Sequence, residues 1–479
     1  MLSPYLLNVD VEFMMLDKKV ERPFGLRDKV GYLFGDFGND FTFVLSSSFL
    51  LKFYTDVMGV SAAAVGIIIM ASRFIDGFTD VTMGRIADKA RVTKNGKFKP
   101  WILRMCIPVS LASFLIYQSS LSSAPEIFKI IYLAFTYVLW GSVFYTAINI
   151  PYGSMASLIS PDPNDRQSLS TFRSIGAVLA GAVIGSLVPL IAYDEVPNVG
   201  AVMNGPRFTL VSLISSILAI ISYLACYMLV KERVVPEMTV KAKDDNVFRM
   251  LRRAAKNRAL ISIIAASVVM LLAQLTMQTM TNYIFPNYYG NAGAQTIATL
   301  VMVGATLLSG VFAKPLARRF GKAEVAAVSA FFSGIVSACL FLFRPESVWL
   351  YIAFQAFQWL GLGMFTMVSW ALISDVIDDA EARSGIREDG SVYALYSFAR
   401  KLGQAAAAGA TGFMLSYIGY SSTTAFDPEV LDGIYAISTL VPAIGFILLA
   451  LVLFFWYPLK KKKVECNLAL LRKRREEGD

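Results

Sequence analysis

Apolar stretches of about twenty residues recur along this 479-residue chain, broken only by short polar segments. Each is long enough for an α-helix to cross the roughly 30 Å hydrocarbon core of a bilayer. Only 16% of the residues are charged, against about 25% in a soluble domain. The pattern predicts an all-α membrane protein with twelve transmembrane helices. Spans are expected near 30–54, 62–86, 100–120, 127–158, 167–191 and 207–229, then near 259–284, 296–312, 324–343, 348–374, 391–418 and 434–457.

The formal net charge is +9, but it is laid out as topology rather than as a nucleic-acid surface. Arg85, Lys89, Arg91, Lys94, Lys97 and Lys99 fall between spans two and three. Lys314, Arg318, Arg319 and Lys322 fall between spans eight and nine. The central linker and the C-terminus are also basic, whereas the alternate loops have almost no basic residues. The positive-inside rule then sets both termini and the linker of this multi-pass chain in the cytoplasm. The expected organisation is an N-terminal tail (1–29), a six-helix bundle (30–230), a basic linker (231–258), a second six-helix bundle (259–457) and a basic tail (458–479). The basic loop after span two has a weaker counterpart after span eight, which points to duplicated, pseudo-symmetric halves around a midplane cavity.

Several chemistries are excluded. No histidine is present, so proton chemistry must run through carboxylates. The four cysteines are scattered singly, which argues against disulfides and metal clusters. No GxxxxGK[ST] phosphate loop supports ATP drive. The chain reads as a transporter, not an enzyme, with no resident cofactor.

Asp76 and Asp80 stand four residues apart inside the second span, one helical turn apart on one face. A charge at mid-bilayer costs roughly 3 kcal/mol by insertion scales, so a stacked pair needs a function, and a cation site is the expected one. Oxygen ligands of this type suit Na⁺ or Li⁺, or a proton if desolvation favours the neutral carboxyl. Thr79, Thr146 and Asn149 can add neutral oxygens. Arg73, three residues before Asp76, is the structural partner to weigh against that reading. Asp40 adds a carboxylate in the first span, preceded by Asp36 and Asn39. Arg173, Arg400 and Lys401 supply intramembrane cations; Lys401 lies about ten residues into its helix, roughly 15 Å from either end and too deep to snorkel. Trp370, Tyr396 and Tyr152 are candidates to stack on a sugar ring. Asp375, Asp378 and Asp379 are expected to pair with basic residues of the N-terminal half and close an inner gate.

The segments GDFGNDF, YTDVMGV, SRFIDGFTDVTMG, GKFKPW, INIPYGSM and GIREDGSVYALYSFARKLGQA occur in order from end to end. They resemble the glycoside–pentoside–hexuronide:cation symporters, the sugar-coupled branch of the major facilitator superfamily that includes melibiose permease. The likeness is greatest to the bacterial glucuronide carriers, through INIPYGS and RKxGQA. The resemblance implies the major facilitator fold, with Asp76 and Asp80 as cation-site carboxylates and Thr79 and Thr146 beside them. It implies Asp40 as acceptor for sugar hydroxyls, Arg173 as the fifth-helix arginine, and Trp370, Tyr396, Ser397, Arg400 and Lys401 at substrate or charge-network positions.

Two departures bear on the substrate. Asn149 stands where melibiose permease carries an aspartate, and Gly153 replaces a nearby tryptophan. Removing a carboxylate and adding Arg400 favours an anion, because a guanidinium fork suits a carboxylate. The expected function is therefore cation-coupled symport of a hexuronide or glucuronide by a chain working as a monomer. The alternatives are a neutral oligosaccharide or pentoside carrier and a lysolipid carrier on the same fold.

Overall fold

The computed structural model describes residues 22–196, 200–234, 257–384 and 389–477. Most of the expected tail 1–29 and linker 231–258, and part of the GIREDG segment, lie outside the described residues. Twelve long helices run through the described chain. In the N-terminal half they are α1 Leu26–Asp56, α2 Ala62–Asp88, α3 Lys99–Ile116, α4 Glu126–Ile159, α5 Pro163–Ala192 and α6 Gly205–Leu229. In the C-terminal half they are α7 Arg258–Tyr288, α8 Ala292–Phe320, α9 Lys322–Phe343, α10 Val348–Ser384, α11 Asp389–Tyr417 and α12 Pro428–Trp456. Ten are long and apolar enough to cross a membrane. The other two, α1 and α11, have 31 and 29 residues and carry several of the charged residues singled out above.

Helix ends follow local chemistry more closely than hydropathy does. The α5 helix starts at Pro163, four residues before the expected span, because Asp162 caps Asn164 N and proline is preorganised for the first helical position. The α10 helix runs ten residues past the expected end, to Ser384. Its extension contains no glycine or proline and carries the Asp379–Arg383 pair at 2.8 Å, spaced i, i+4. The basic tail is itself helical, α13 Lys461–Glu477, and docks on α10 through Asn467 Nδ2 donating to Asp379 Oδ1 at 2.9 Å.

The halves meet through α2 against α11, α5 against α8 and α1 against α7. At α2/α11 the backbones nearly touch: a Cβ on Gly412 would stand 2.5 Å from Ala62 O, and one on Gly66 3.1 Å from Ala408 O. Only glycine permits that approach. Most of the hydrogen bonds between halves gather at the end away from the basic loops. There Ala63 N donates to Ser416 Oγ (2.8 Å), Asn282 Nδ2 to Ser48 O (2.6 Å) and Thr296 Oγ1 to Ser186 O (2.8 Å). A small hairpin of β1 Tyr193–Val196 and antiparallel β2 Gly200–Met203 covers the same end.

Lys52 is the centre of that closure. It is 0% exposed, yet each of its three ammonium protons has an acceptor: Asn287 Oδ1 at 2.5 Å, Tyr420 hydroxyl at 2.6 Å and Asp56 Oδ2 at 2.8 Å. The Tyr283 and Tyr420 rings face it at 4.5 and 5.1 Å. A buried ammonium is tolerable only with such complete pairing.

At the basic-loop end, by contrast, the ionic contacts stay within each half among the described residues. Buried Asp28 is held by Arg22 (2.5 Å) and Arg233 (2.8 Å). Glu232 accepts from the backbone amides of Lys97, Phe98 and Lys99 at 2.6–2.9 Å, which caps the start of α3. Asp375 pairs with Lys322 at 2.6 Å, and Asp379 with Arg383 and Asn467. The expected inner-gate pairs from Asp375 and Asp379 to N-terminal basic residues are thus absent among the described residues. Both acids are satisfied by neighbours inside the C-terminal half, and this end of the interface is not closed by them.

Candidate functional site

The α2 and α4 helices run side by side in the same direction, and two rungs join them. Ser142 Oγ donates to Asp76 Oδ1 at 2.5 Å, and Thr146 Oγ1 donates to Asp80 Oδ1 at 3.0 Å. Each rung is four residues from the next on both helices, as the helical repeat requires. Local irregularity positions the α4 hydroxyls: residues Leu139–Tyr145 are wound as a π-helix, and Pro151, one turn on, contributes no N–H to the helix ladder. Ser72 Oγ lies 3.4 Å from Ser142 Oγ and extends the oxygen cluster.

Each carboxylate also has a basic partner. Arg73 Nη1 lies 3.3 Å from Asp76 Oδ2, and its guanidinium sits over the Phe43 ring at 5.3 Å. Asp80 forms an ion pair with Lys401 of α11, which crosses between the halves. Lys401 and Asp80 keep side-chain exposures of 33% and 23%, so the pair is reachable. The structural pairing of Asp76 with Arg73 therefore exists, and Lys401 balances the second carboxylate. Arg400, its neighbour, points to the Tyr396 ring instead, at 5.8 Å, as adjacent helix positions diverge by about 100°.

The remaining expected residues divide. Thr79 donates its hydroxyl to its own helix, at Asp76 O (3.2 Å), rather than to either carboxylate. Asn149 Oδ1 accepts from Asn39 Nδ2 at 3.3 Å, and Asn39 Oδ1 accepts from Tyr223 at 2.9 Å. Arg173 pairs with Asp36 at 3.0 Å, not with Asp40, and is 39% exposed. Asp40 makes no hydrogen bond or ion pair among the described residues and stands partly exposed one residue from Asn39. Tyr152 is buried: it fills the notch at Gly35, where a Cβ would meet its ring at 2.2 Å, and it stacks on Tyr32 at 4.6 Å. Tyr396 is 0% exposed and accepts from Ser267 at 2.8 Å. Neither ring presents a face to a sugar in this state. Ser397 is partly exposed beside it, and the side chain of Trp370 lies outside the described residues.

A cavity of about 290 Å³ lies between the halves, beneath the closed end. Its polar lining includes Ser46 and Ser47 from α1, Gln278 and Asn282 from α7, and Gln404 and Thr411 from α11. Arg73 also reaches it. These neutral residues carry no motif, so sequence reasoning passed over them; Gln404, one turn from Arg400, was the nearest signal.

With this geometry in hand, the likeness to known proteins falls into place. The MFS/sugar transport protein family matches residues 31–461. A glucuronide carrier protein homolog of Escherichia coli K12 is 31% identical over 444 residues, covering 91% of this chain and 93% of its own length. A putative sulfoquinovose importer of Salmonella typhimurium LT2 is 28% identical, covering 95% of this chain and 94% of its own. The crystal structure of a D-xylose-proton symporter superposes with a TM-score of 0.59 at 13% identity, over 90% of this chain and 97% of that one, a likeness of fold alone. The multi-pass helical architecture is that of a membrane transporter rather than an enzyme, and the chain belongs to the MFS/sugar transport protein family.

Proposed function

We propose that this protein is a cation-coupled symporter of an anionic sugar, a glucuronide or related hexuronide, working by alternating access as a single chain. The observation that carries the coupling is the ion pair between Asp80 and Lys401, because it joins the carboxylate pair to the opposite half. A cation entering between Asp76 and Asp80 competes with Arg73 and Lys401 for their carboxylates. Ser142 and Thr146 remain as neutral ligands on the far side. Loading the cation releases two basic groups toward the space between the halves, which favours a substrate anion there. Coupling of this kind is reciprocal: the anion must tighten cation binding by the same factor.

The basic loops define the cytoplasmic side, so the Lys52 closure faces outward and this conformation opens inward. Residues 30–230 and 259–457 are the two rocking bundles. The coupling ion is Na⁺, Li⁺ or a proton, travelling as cargo. The amide and hydroxyl lining of the central cavity supports a polyhydroxylated ligand over a lysolipid. The names of relatives, a glucuronide carrier homolog and a sulfoquinovose importer, lend support from the side of anionic sugars. The test is uphill uptake of a radiolabelled glucuronide into proteoliposomes under an imposed Na⁺ or proton gradient. Accumulation that collapses with the gradient is expected; uptake that only equilibrates contradicts symport.

A further inference from the structure

The central cavity holds one charged side chain among its described lining residues, and it is Arg73. Everything else polar around it is neutral: serines and threonines, and amides such as Gln278, Asn282 and Gln404. Arg73 is also the residue that touches Asp76. It therefore belongs to both places at once, with one guanidinium nitrogen toward the carboxylate pair and its planar group beside the cavity.

The contact to Asp76 is a loose one. Its 3.3 Å exceeds the 2.7–2.9 Å usual for a charge-assisted bond, at about half an ångström. Asp76 has a tighter partner in Ser142 at 2.5 Å. Arg73 can leave Asp76 without stripping it of hydrogen bonds, provided that a cation replaces the lost charge. The Phe43 ring under the guanidinium, at 5.3 Å, holds it at the cavity wall while it does so.

We infer that Arg73 is the specificity-determining residue for the acidic group of the substrate, and that it exchanges Asp76 for that group when the coupling cation binds. The inference rests on the proposed symport of an anionic sugar and assigns its anion recognition to Arg73 rather than to Arg400, which faces Tyr396 outside the cavity lining. The neutral amides hold the hydroxyls, which uronides and plain glycosides share; among the described lining residues it is Arg73 that distinguishes the two. Cation and anion are then coupled through one side chain. Without the cation Arg73 is retained by Asp76, and with it the guanidinium is free.

The experiment compares binding of methyl glucuronide and methyl glucoside to the purified full chain, with and without Na⁺ or at two pH values, in wild type, Arg73→Gln, Arg73→Lys and Arg400→Gln. Wild type should prefer the glucuronide only when the cation is bound. Arg73→Gln should reduce that preference roughly ten- to a hundredfold, the worth of a charge-assisted hydrogen bond, while glucoside affinity changes less than about threefold. Arg400→Gln should retain the preference. Arg73→Lys keeps the charge without the fork and should fall between. A preference that survives Arg73→Gln overturns the inference. Should that variant bind neither sugar, equal losses of both in Arg73→Lys overturn it instead. Wild-type binding of both sugars without any cation dependence would contradict the symport reading itself, a result distinct from either of these.

Discussion

Lys52 of α1 and Tyr420, just past the end of α11, share a 2.6 Å hydrogen bond across the two halves, and Tyr420 hands its own proton to Asp56 at 2.7 Å. The ammonium is fully buried, so this clasp holds only while the halves are closed at that end. Opening must expose or re-pair Lys52. The clasp is therefore a conformational latch as well as a packing feature.

Removing the acid of the latch should bias the transporter the other way. The variant Asp56→Asn leaves the Lys52 ammonium buried without its counter-charge while that end is closed. A shift of about 3 kcal/mol, the cost of stripping a buried charge of its partner, changes the ratio of the two states roughly 150-fold. A cysteine introduced at Ser47 should then label faster with a membrane-impermeant maleimide applied from the side of the Lys52 clasp. Unchanged labelling would mean that other contacts hold that end shut.

Lys401 is paired with Asp80, and in the proposed cycle it competes with the coupling ion for that carboxylate. Replacing it with methionine should raise cation affinity in the absence of sugar at least tenfold, because the ion no longer displaces an ammonium. Sugar should then enhance cation binding much less than in wild type. Calorimetric titration with Na⁺, or pH titration for a proton-coupled cycle, reads both effects. A loss of cation binding would assign Lys401 a supporting role instead.

Charge balance predicts the electrical signature. One monovalent cation travelling with one uronate moves no net charge, so a membrane potential, worth about 2.3 kcal/mol per charge per 100 mV, does no work on that cycle. A neutral glycoside carried with one cation moves one charge. On a solid-supported membrane, glucoside jumps should evoke transient currents and glucuronide jumps should not. Equal currents for both would refute a one-to-one cycle.

Stability at the basic-loop end depends on Glu232. Its carboxylate serves three consecutive backbone amides at the start of α3 and ties the end of α6 to them. Glu232→Ala should cost about 1–3 kcal/mol, the price of an orphaned helix end. Thermal unfolding in detergent should fall by a few degrees while the selectivity between sugars stays as it was.

Much of this arrangement is legible in the sequence, and the exceptions have a common cause. The i, i+4 spacing of Asp76 and Asp80 fixes their shared face, and the depth of Lys401 demands a buried partner; both are local facts. The Lys52 clasp joins residues 235 and 368 positions apart, which no periodicity reports. Ser142 lies one turn before Thr146, but a lone serine in an apolar run carries neither charge nor motif to single it out. Tyr152 and Tyr396 read as sugar platforms because an aromatic's chemistry is visible in sequence, but its burial is set by neighbours such as Gly35. The same limit hid the cavity amides, whose role comes only from the meeting of two halves.

The account stands on the α2 carboxylates as the seat of the coupling ion, and sugar-stimulated uptake of ²²Na⁺ or protons into proteoliposomes addresses that most directly. Wild type should show sugar-dependent ion entry. Asp76→Asn with Asp80→Asn should abolish it, while the variant still folds and lets sugar equilibrate down its gradient. Ion entry that persists undiminished in the double variant would contradict the account.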